Sequence, residues 1–484
     1  MSINLVWFKR DLRLSDHEPL HMAITDSIRS GRQVLLLYIF EDLQINDSHY
    51  STRHWRFVYQ SLVDIQHRLP KKSLWIKRGN AFKIINQINE EFGIHRIFSH
   101  QEVGLSNTYQ RDIEIKSWCN HQNIDWYEGQ TGAVIRGLSN RKYWDKNWSK
   151  AMRTAIEYID LTQTNFILQH SKPDSLENAW LIDDPLMQLG GEKQAHNVLN
   201  SFFEQRGKPY SYSLSSPALS QNHCSRLSAY LAWGNISLRQ VYQTTLQHWN
   251  KTGWRRSLVA FSSRLHWHCH FIQKFESEHS MEFEHLNRGY DNLPRDGSPQ
   301  ALANLQAWKN AKTGYPLIDA CMLCLKKTGY INFRMRAMLV SFLTHNLALD
   351  WRLGVKHLAS VFLDFEPGIH YSQFQMQAGV MGINTIRVYN PIKQSKEKDS
   401  NGDFITTWIP ALKGLPLPFV HEPWLLTDLE QIMYDFTLGE DYPNRVVDIA
   451  SSSKTARDLL WQWKKSERVK KEGHRIIARH VRKN

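Results

Sequence analysis

The hydrophobic period of this chain changes partway along, and that change constrains its architecture more than any single motif. Through residue 131, short apolar runs at 4–8, 34–40, 74–76, 96–99 and 124–127 alternate with amphipathic stretches of helical period, such as 54–68 and 82–91. Apolar strands that alternate with helices predict a parallel, doubly wound sheet whose crevice lies at the carboxyl ends of its strands. From residue 206 strand signals nearly vanish and helical period takes over, interrupted by turn-rich loops at 289–298 and 396–402. Between them, residues 132–205 are irregular and polar, with Trp144, Trp148 and Trp180 scattered through a partly helical connecting segment. The reading is an α/β domain over 1–131, a connecting segment over 132–205 and an all-α domain over 206–484.

Composition narrows the class of partner. The 60 Lys and Arg outnumber the 47 Asp and Glu, for a net charge of +13. Such an excess favours a polyanion through phosphate neutralisation and counterion release, while plain solubility is the alternative. The five cysteines are sparse and odd in number, as expected in a reducing compartment. The opening MSINLVWFKRD places charges straight after a short apolar run, unlike a secretory leader. Apolar runs such as 34–40 fall well short of the roughly 18–20 residues of a membrane span. A cytoplasmic, monomeric, DNA-binding protein is expected. No GxGxxG follows the first strand, so a dinucleotide fingerprint is absent.

Several clusters carry possible chemistry. Residues 330–391 space Arg334, Arg336, Trp351 and Arg352 along apolar helical repeats that lead to Asp364 and Glu366. An apolar helix has no need of two arginines flanking one methionine; a pocket for a large anionic ring system does. The run Cys224, Ser225, Arg226, Leu227, Ser228 can offer hydroxyls, backbone N–H groups and a guanidinium to a phosphate, or be an ordinary helix cap. His266, His268 and His270 are spaced like metal ligands, yet only the first and last share a helix face, and two histidines do not complete a site. Trp267 beside them is a stacking platform for a base or a core residue. Cys321 and Cys324 form a CxxC inside a helical pattern, without a second pair for zinc. Residues 457–484, with ten basic and three acidic side chains, read as a solvated helix or a nucleic-acid contact.

In the order of its motifs the chain resembles the photolyase/cryptochrome family of flavoproteins along nearly its whole length. The resemblance is carried by VWFKRDLR at 6–13, KTGYPLID at 312–319, Arg334-Met335-Arg336, Asp350-Trp351-Arg352 and RVYNP at 387–391. It is of the bacterial DNA photolyase type. The iron–sulfur branch needs four cysteine ligands in the helical domain, and no cysteine follows Cys324. The resemblance implies U-shaped FAD in the helical domain and a DNA-facing surface that receives a flipped lesion from UV-damaged single or double strands. Tyr212, Cys224 to Ser228, Phe261, His268, Arg336, Asp364, Phe365, Glu366 and His370 would contact FAD, with Arg336 paired to Asp364 and His370 facing flavin N5. Arg264, Trp267, Arg334 and Gln394 would meet the lesion or DNA, with Arg264, Trp267 and His370 acting in catalysis. Trp308 and Trp351 would be the outer and middle members of an electron-transfer chain.

The implied activity is a deoxyribodipyrimidine photolyase-type lyase that repairs pyrimidine dimers, cyclobutane dimers first, by light-driven electron transfer. The alternative is a cryptochrome-like blue-light photoreceptor, against which stand the basic charge and the lack of a long C-terminal extension. The antenna is a folate, a deazaflavin, a second flavin or none; His100-Gln101-Glu102 is a loose match to a folate position. Departures from the family pattern cluster in one region. Phe374 takes the place of the proximal Trp, leaving Tyr371 as a candidate aromatic. His370 stands for Asn, and its titratable imidazole is expected to affect the flavin. Arg264 stands for Glu, and Phe333 and Ala337 stand for Asn and Met.

Overall fold

A computed structural model describes residues 2–158, 160–169 and 174–481; the last three residues of the basic terminal segment lie outside the described residues. Five parallel strands form the sheet: β1 (Ile3–Phe8), β2 (Val34–Glu41), β3 (Leu74–Gly79), β4 (Ile94–His100) and β5 (Asp125–Gly129), in the order β3-β2-β1-β4-β5. Helices α1 (Glu18–Ser30), α2 (Thr52–His67), α3 (Ala81–Phe92) and α4 (Ser106–His121) connect them. β1 and β2 are buried at every position, as parallel strands covered on both faces must be. Register sets Leu5 against Leu35 and Ile97. The doubly wound reading of this half therefore stands, with each strand within a few residues of its expected run.

The crevice at the switch point between β1 and β4 is filled by the chain's own charges. Arg111 on α4 bonds Glu102 at 2.5 Å and also Glu41, and Lys9 bonds Asp112 at 3.1 Å. Burial pushes the Glu41 carboxyl up to about 7, although Arg111 opposes it. The folate-like triplet is consumed here as well: His100 Nδ1 donates to Asp11 at 2.7 Å, and Glu102 holds Arg111. His17 joins Asp11 and His100 in a buried cluster with metal-ligand spacing that the sequence did not reveal. Its Nδ1 accepts from the Leu20 N–H at the start of α1, which leaves Nε2–H facing Asp11 at 3.0 Å. That donor pattern suits a carboxylate held by two imidazoles.

The connecting segment is packed onto both halves. Phe166 bridges to Val34, Trp180 stacks on Phe40 at 5.2 Å, and Trp144 and Trp148 are buried against His266. Beyond it the structure is helical, with α5 (Arg255–Ser277), α6 (Pro316–Thr328), α7 (Phe333–Ser341), α8 (Arg352–Val361), α9 (Pro367–Gln377) and α10 (Glu467–His480) positioning the site. Cys321 and Cys324 are buried free thiols in α6, packed as core residues, and burial pushes Cys324 up to about 11. Several cations of α10 are spent internally: Arg475, Arg479 and His480 converge on Glu278 at 2.6, 3.1 and 3.3 Å. Among the described residues no helix is long and apolar enough to cross a membrane.

The two halves meet at the loop between α8 and α9. An irregular buried segment must find partners for its carbonyls, and the α/β half supplies most of them. Ser51 donates to Ser360 O (2.6 Å), Arg53 to Val361 O (2.7 Å) and His54 to Phe362 O (2.8 Å). Arg10, just past β1, donates to Phe365 O at 2.6 Å and to Ala232 O at 3.0 Å, and pairs with Glu366 at 3.3 Å. Trp233 Nε1 closes the set on Leu363 O at 3.2 Å. Arg10→Met strands a largely buried Glu366 carboxylate and is expected to cost about 3–5 kcal/mol in denaturant unfolding. The double substitution with Glu366→Leu should recover most of that loss, and a fully additive pair would refute the coupling.

Candidate functional site

Asn332 caps α7 by accepting from Met335 N at 2.9 Å, which fixes the phase of the helix. That phase buries Met335, Ala337 and Met338 and turns Arg336 toward the 361–366 loop. One guanidinium nitrogen of Arg336 donates to both oxygens of Asp364, at 2.8 and 3.0 Å, and its plane lies 3.6 Å from the Phe362 ring centroid. The expected ion pair is present and mostly buried.

The 224–228 turn precedes α5 and packs on Tyr330. Arg226 adopts φ of 60°, a left-handed conformation that a branched side chain rarely tolerates. It is held there by stacking on Tyr330 at 3.7 Å and donating to Gln221 at 2.7 Å. Arg206 gathers the turn's carbonyls, donating to Ser225 O at 2.8 Å and to Cys224 O. Burial pushes the Cys224 thiol up to about 11, so it is no thiolate. Arg206, Gln221 and Tyr330 carry no signal in the sequence; their partners are backbone atoms or residues far along the chain.

These donors fit FAD. Arg226, Arg336 and the Ser225 and Ser228 hydroxyls suit a pyrophosphate and ribityl chain. Phe333, Arg336, Ala337, His370 and Phe374 line one cavity. Four of the five family departures therefore share a wall, and they share it with the expected cofactor arginine.

His370 answers the question of titration. Its Nε2 lies 2.9 Å from Val355 O, so Nε2 carries the proton and Nδ1 is an acceptor. Burial drives its pKa down to about 3, against the Val355 bond, so the ring is neutral near pH 7 and does not titrate there as expected from sequence. Phe374 contacts both His370 (5.4 Å) and Trp351 (6.3 Å). Trp308 is fully buried, packed on His357 at 5.8 Å, which departs from the exposure an outer electron-transfer member needs.

The remaining expected residues divide. Trp267 is 43% exposed, braced by His270 and Phe271, and Phe333 is also 43% exposed. Arg264 is exposed and reaches the Tyr210 hydroxyl. Arg334 donates to Gln394 at 3.3 Å. Gly368 lets α9 approach α5 so closely that a β-carbon there would meet Ile272 Cα at 2.7 Å, which keeps His370 and Trp267 on adjoining elements. Tyr212, by contrast, is 69% exposed with its ring against Arg256, and none of its described contacts reaches the 224–228 turn. Phe261 sits in an aromatic cluster with Phe202 and Tyr210. His268 lines a separate cavity between the halves, of about 310 Å³, with Arg10, Asp11 and His100. The metal spacing of the three histidines dissolves: His266 bonds Asp145 at 2.9 Å, His268 faces that cavity, and His270 packs on Trp267.

Known proteins resemble this chain in sequence and fold. A family model described as DNA photolyase matches residues 4–137, and one described as the FAD binding domain of DNA photolyase matches residues 261–462. A deoxyribodipyrimidine photo-lyase of Alkalihalophilus pseudofirmus is 25% identical over 476 residues, covering 94% of this chain and 97% of that protein. A cryptochrome DASH of Synechocystis is 26% identical over 499 residues, covering 94% and 97%. The crystal structure of a Synechocystis cryptochrome superposes with a TM-score of 0.83 at 24% identity, over 95% of this chain and 99% of that one.

A pH test follows from His370. A histidine whose folded pKa is depressed contributes stability that is present above its unfolded value, about 6.5, and is lost as pH falls toward 3. Between pH 7.5 and 4.5 its share of the loss is about 2–3 kcal/mol. His370→Asn should lessen the fall in unfolding free energy over that window by this amount; an unchanged fall would place the titration elsewhere.

Proposed function

Because the chain belongs to the photolyase/cryptochrome family, we propose that it repairs UV-induced pyrimidine dimers in DNA, cyclobutane dimers first, under blue or near-UV light. FAD is the family's cofactor, held by the FAD-binding domain. When bound and reduced it supplies a light-driven electron, and the protein supplies binding, orientation and electrostatics. The observation that carries the reading is a pair of exposed aromatics, each with an arginine close by on its own helix: Trp267 with Arg264 on α5, and Phe333 with Arg334 at the start of α7, where Phe333 also lines the cavity of Arg336 and His370. Exposed rings of this kind offer stacking faces to an extruded base pair, and the guanidiniums offer charge to phosphate or to a dimer that has gained an electron. Arg264 supports that second role, since it stands at the surface with a phenol hydroxyl as its neighbour.

A photoreceptor role is the second reading. It is favoured by the cavity wall, where Phe333, Ala337, His370 and Phe374 all depart from the repair pattern. The discriminating experiment exposes reduced protein and UV-damaged oligonucleotides to blue light. Repair requires cyclobutane dimers to disappear in light and persist in darkness; if neither these nor (6-4) photoproducts are lost, the photoreceptor reading takes over. Trp267→Ala should weaken binding to dimer-containing DNA by about 1–3 kcal/mol, roughly 5- to 150-fold, and leave binding to undamaged DNA nearly unchanged. The absorbance of the native protein identifies any second chromophore beside FAD.

A further inference from the structure

We propose that Tyr371, His49 and Asp47 form a proton-coupled redox relay in which Tyr371 donates an electron to oxidised Trp351. Tyr371 is buried on α9, and its ring meets Trp351 edge-on at 6.0 Å. Its hydroxyl lies 2.6 Å from His49 Nε2. His49 Nδ1 in turn lies 2.5 Å from one oxygen of Asp47, whose other oxygen accepts from Asn107 at 2.8 Å. A carboxylate at Nδ1 fixes the tautomer: Nδ1 bears the proton, and Nε2 accepts the phenolic one.

The surroundings decide where an electron vacancy comes to rest. The indole N–H groups of Trp308 and Trp351 are buried without a hydrogen-bond partner among the described residues, so an oxidised indole has no base at hand. The Arg352 guanidinium lies 5.0 Å from the Trp351 ring and opposes a positive charge there. Of the other rings against Trp351, Phe374 is too hard to oxidise, and His285, edge-on at 6.1 Å, bonds Asp291 and not the indole. Tyr371 alone among the oxidisable rings here has a base within hydrogen-bond reach. Burial first, then the fields of Glu282 and Asp47, push its phenol far above the usual range. A resting phenolate is therefore excluded, and the proton must leave with the electron. The same carboxylates favour the imidazolium that forms.

The step balances. One electron passes from Tyr371 to the Trp351 radical cation, the phenolic O–H bond breaks, and an N–H bond forms at His49 Nε2. The products are a neutral tyrosyl radical, a neutral indole and an imidazolium paired with Asp47; the single positive charge moves from Trp351 to His49. The primary oxidant is a photoexcited oxidised flavin, and the inference rests on the proposed flavin photochemistry for that source alone.

The experiment is time-resolved absorption and electron paramagnetic resonance on the purified protein with its bound flavin. Two triggers are used: blue light, and flash-quench oxidation with a ruthenium tris-bipyridine photo-oxidant. Both should yield a neutral tyrosyl radical, narrowed by ring-deuterated tyrosine and formed more slowly in D₂O. Tyr371→Phe should remove it and leave a longer-lived tryptophan radical. His49→Gln should lower its yield by roughly tenfold or more, the worth of one strong hydrogen bond to a base. An unchanged tyrosyl radical in either variant, or its absence from the parent protein under flash-quench, overturns the relay. A radical under flash-quench but not under blue light upholds the relay and counts against the flavin photochemistry. Should a variant fail to fold, the isotope effect and deuterium labelling of the parent protein decide the question.

Discussion

Five backbone carbonyls hold this structure in its working form. Those of Ser360 and Val361 end α8, and those of Phe362, Leu363 and Phe365 belong to the loop after it, which can be neither helix nor strand because it must aim Asp364 at Arg336. A buried loop with unsatisfied carbonyls would be too costly to persist. Four of the five accept from Ser51, Arg53, His54 and Arg10, all from the sheet half, and Trp233 takes the fifth. The α/β half thus shapes the Arg336–Asp364 site without lining it, and the docking of the halves and the shape of that site are one problem. Arg10 is its most exacting member. Burial alone would lower its guanidinium, but Glu366 holds it above its usual value.

The same logic sorts the chain's positive charge. Arg111, Arg53, Arg206, Arg10 and Arg336 are committed to internal carboxylates and carbonyls, and much of α10 is committed to Glu278. Arg264, exposed on α5, is among the cations left for a polyanion. Net charge of +13 therefore overstates the DNA-facing charge, and position matters more than the sum.

Much of this was legible in the sequence, for physical reasons. Fully buried parallel strands leave continuous apolar runs, so β1 and β2 could be read directly. That Arg336 needs an opposite charge or a ligand was legible because a charge inside apolar repeats is costly to bury, while its pairing with Asp364 came from the family resemblance. What stayed hidden involves partners distant in sequence. His49 lies in an ordinary polar stretch and finds Tyr371 322 residues away. Arg53 looks like an ordinary helix-surface arginine until its carbonyl partners, 272 to 308 residues on, are seen. Tyr212 and Trp308 illustrate the converse. Motif position places them in a site, yet one side chain turns to solvent with Arg256 and the other is sealed in the core. The histidine triplet looked like a metal site only while its three side chains were assumed to share a direction.

The central claim is the proposal that flavin binds beside Arg336, Asp364 and His370 and that damaged bases are received at Trp267 and Phe333. A crystal structure of the flavin-loaded protein bound to a duplex with a single thymine dimer tests it most directly. The account requires the isoalloxazine ring beside Arg336–Asp364 and His370, and the dimer out of the helix against Trp267 and Phe333. Flavin bound elsewhere, or DNA seated on a surface that leaves Trp267 free, would contradict it.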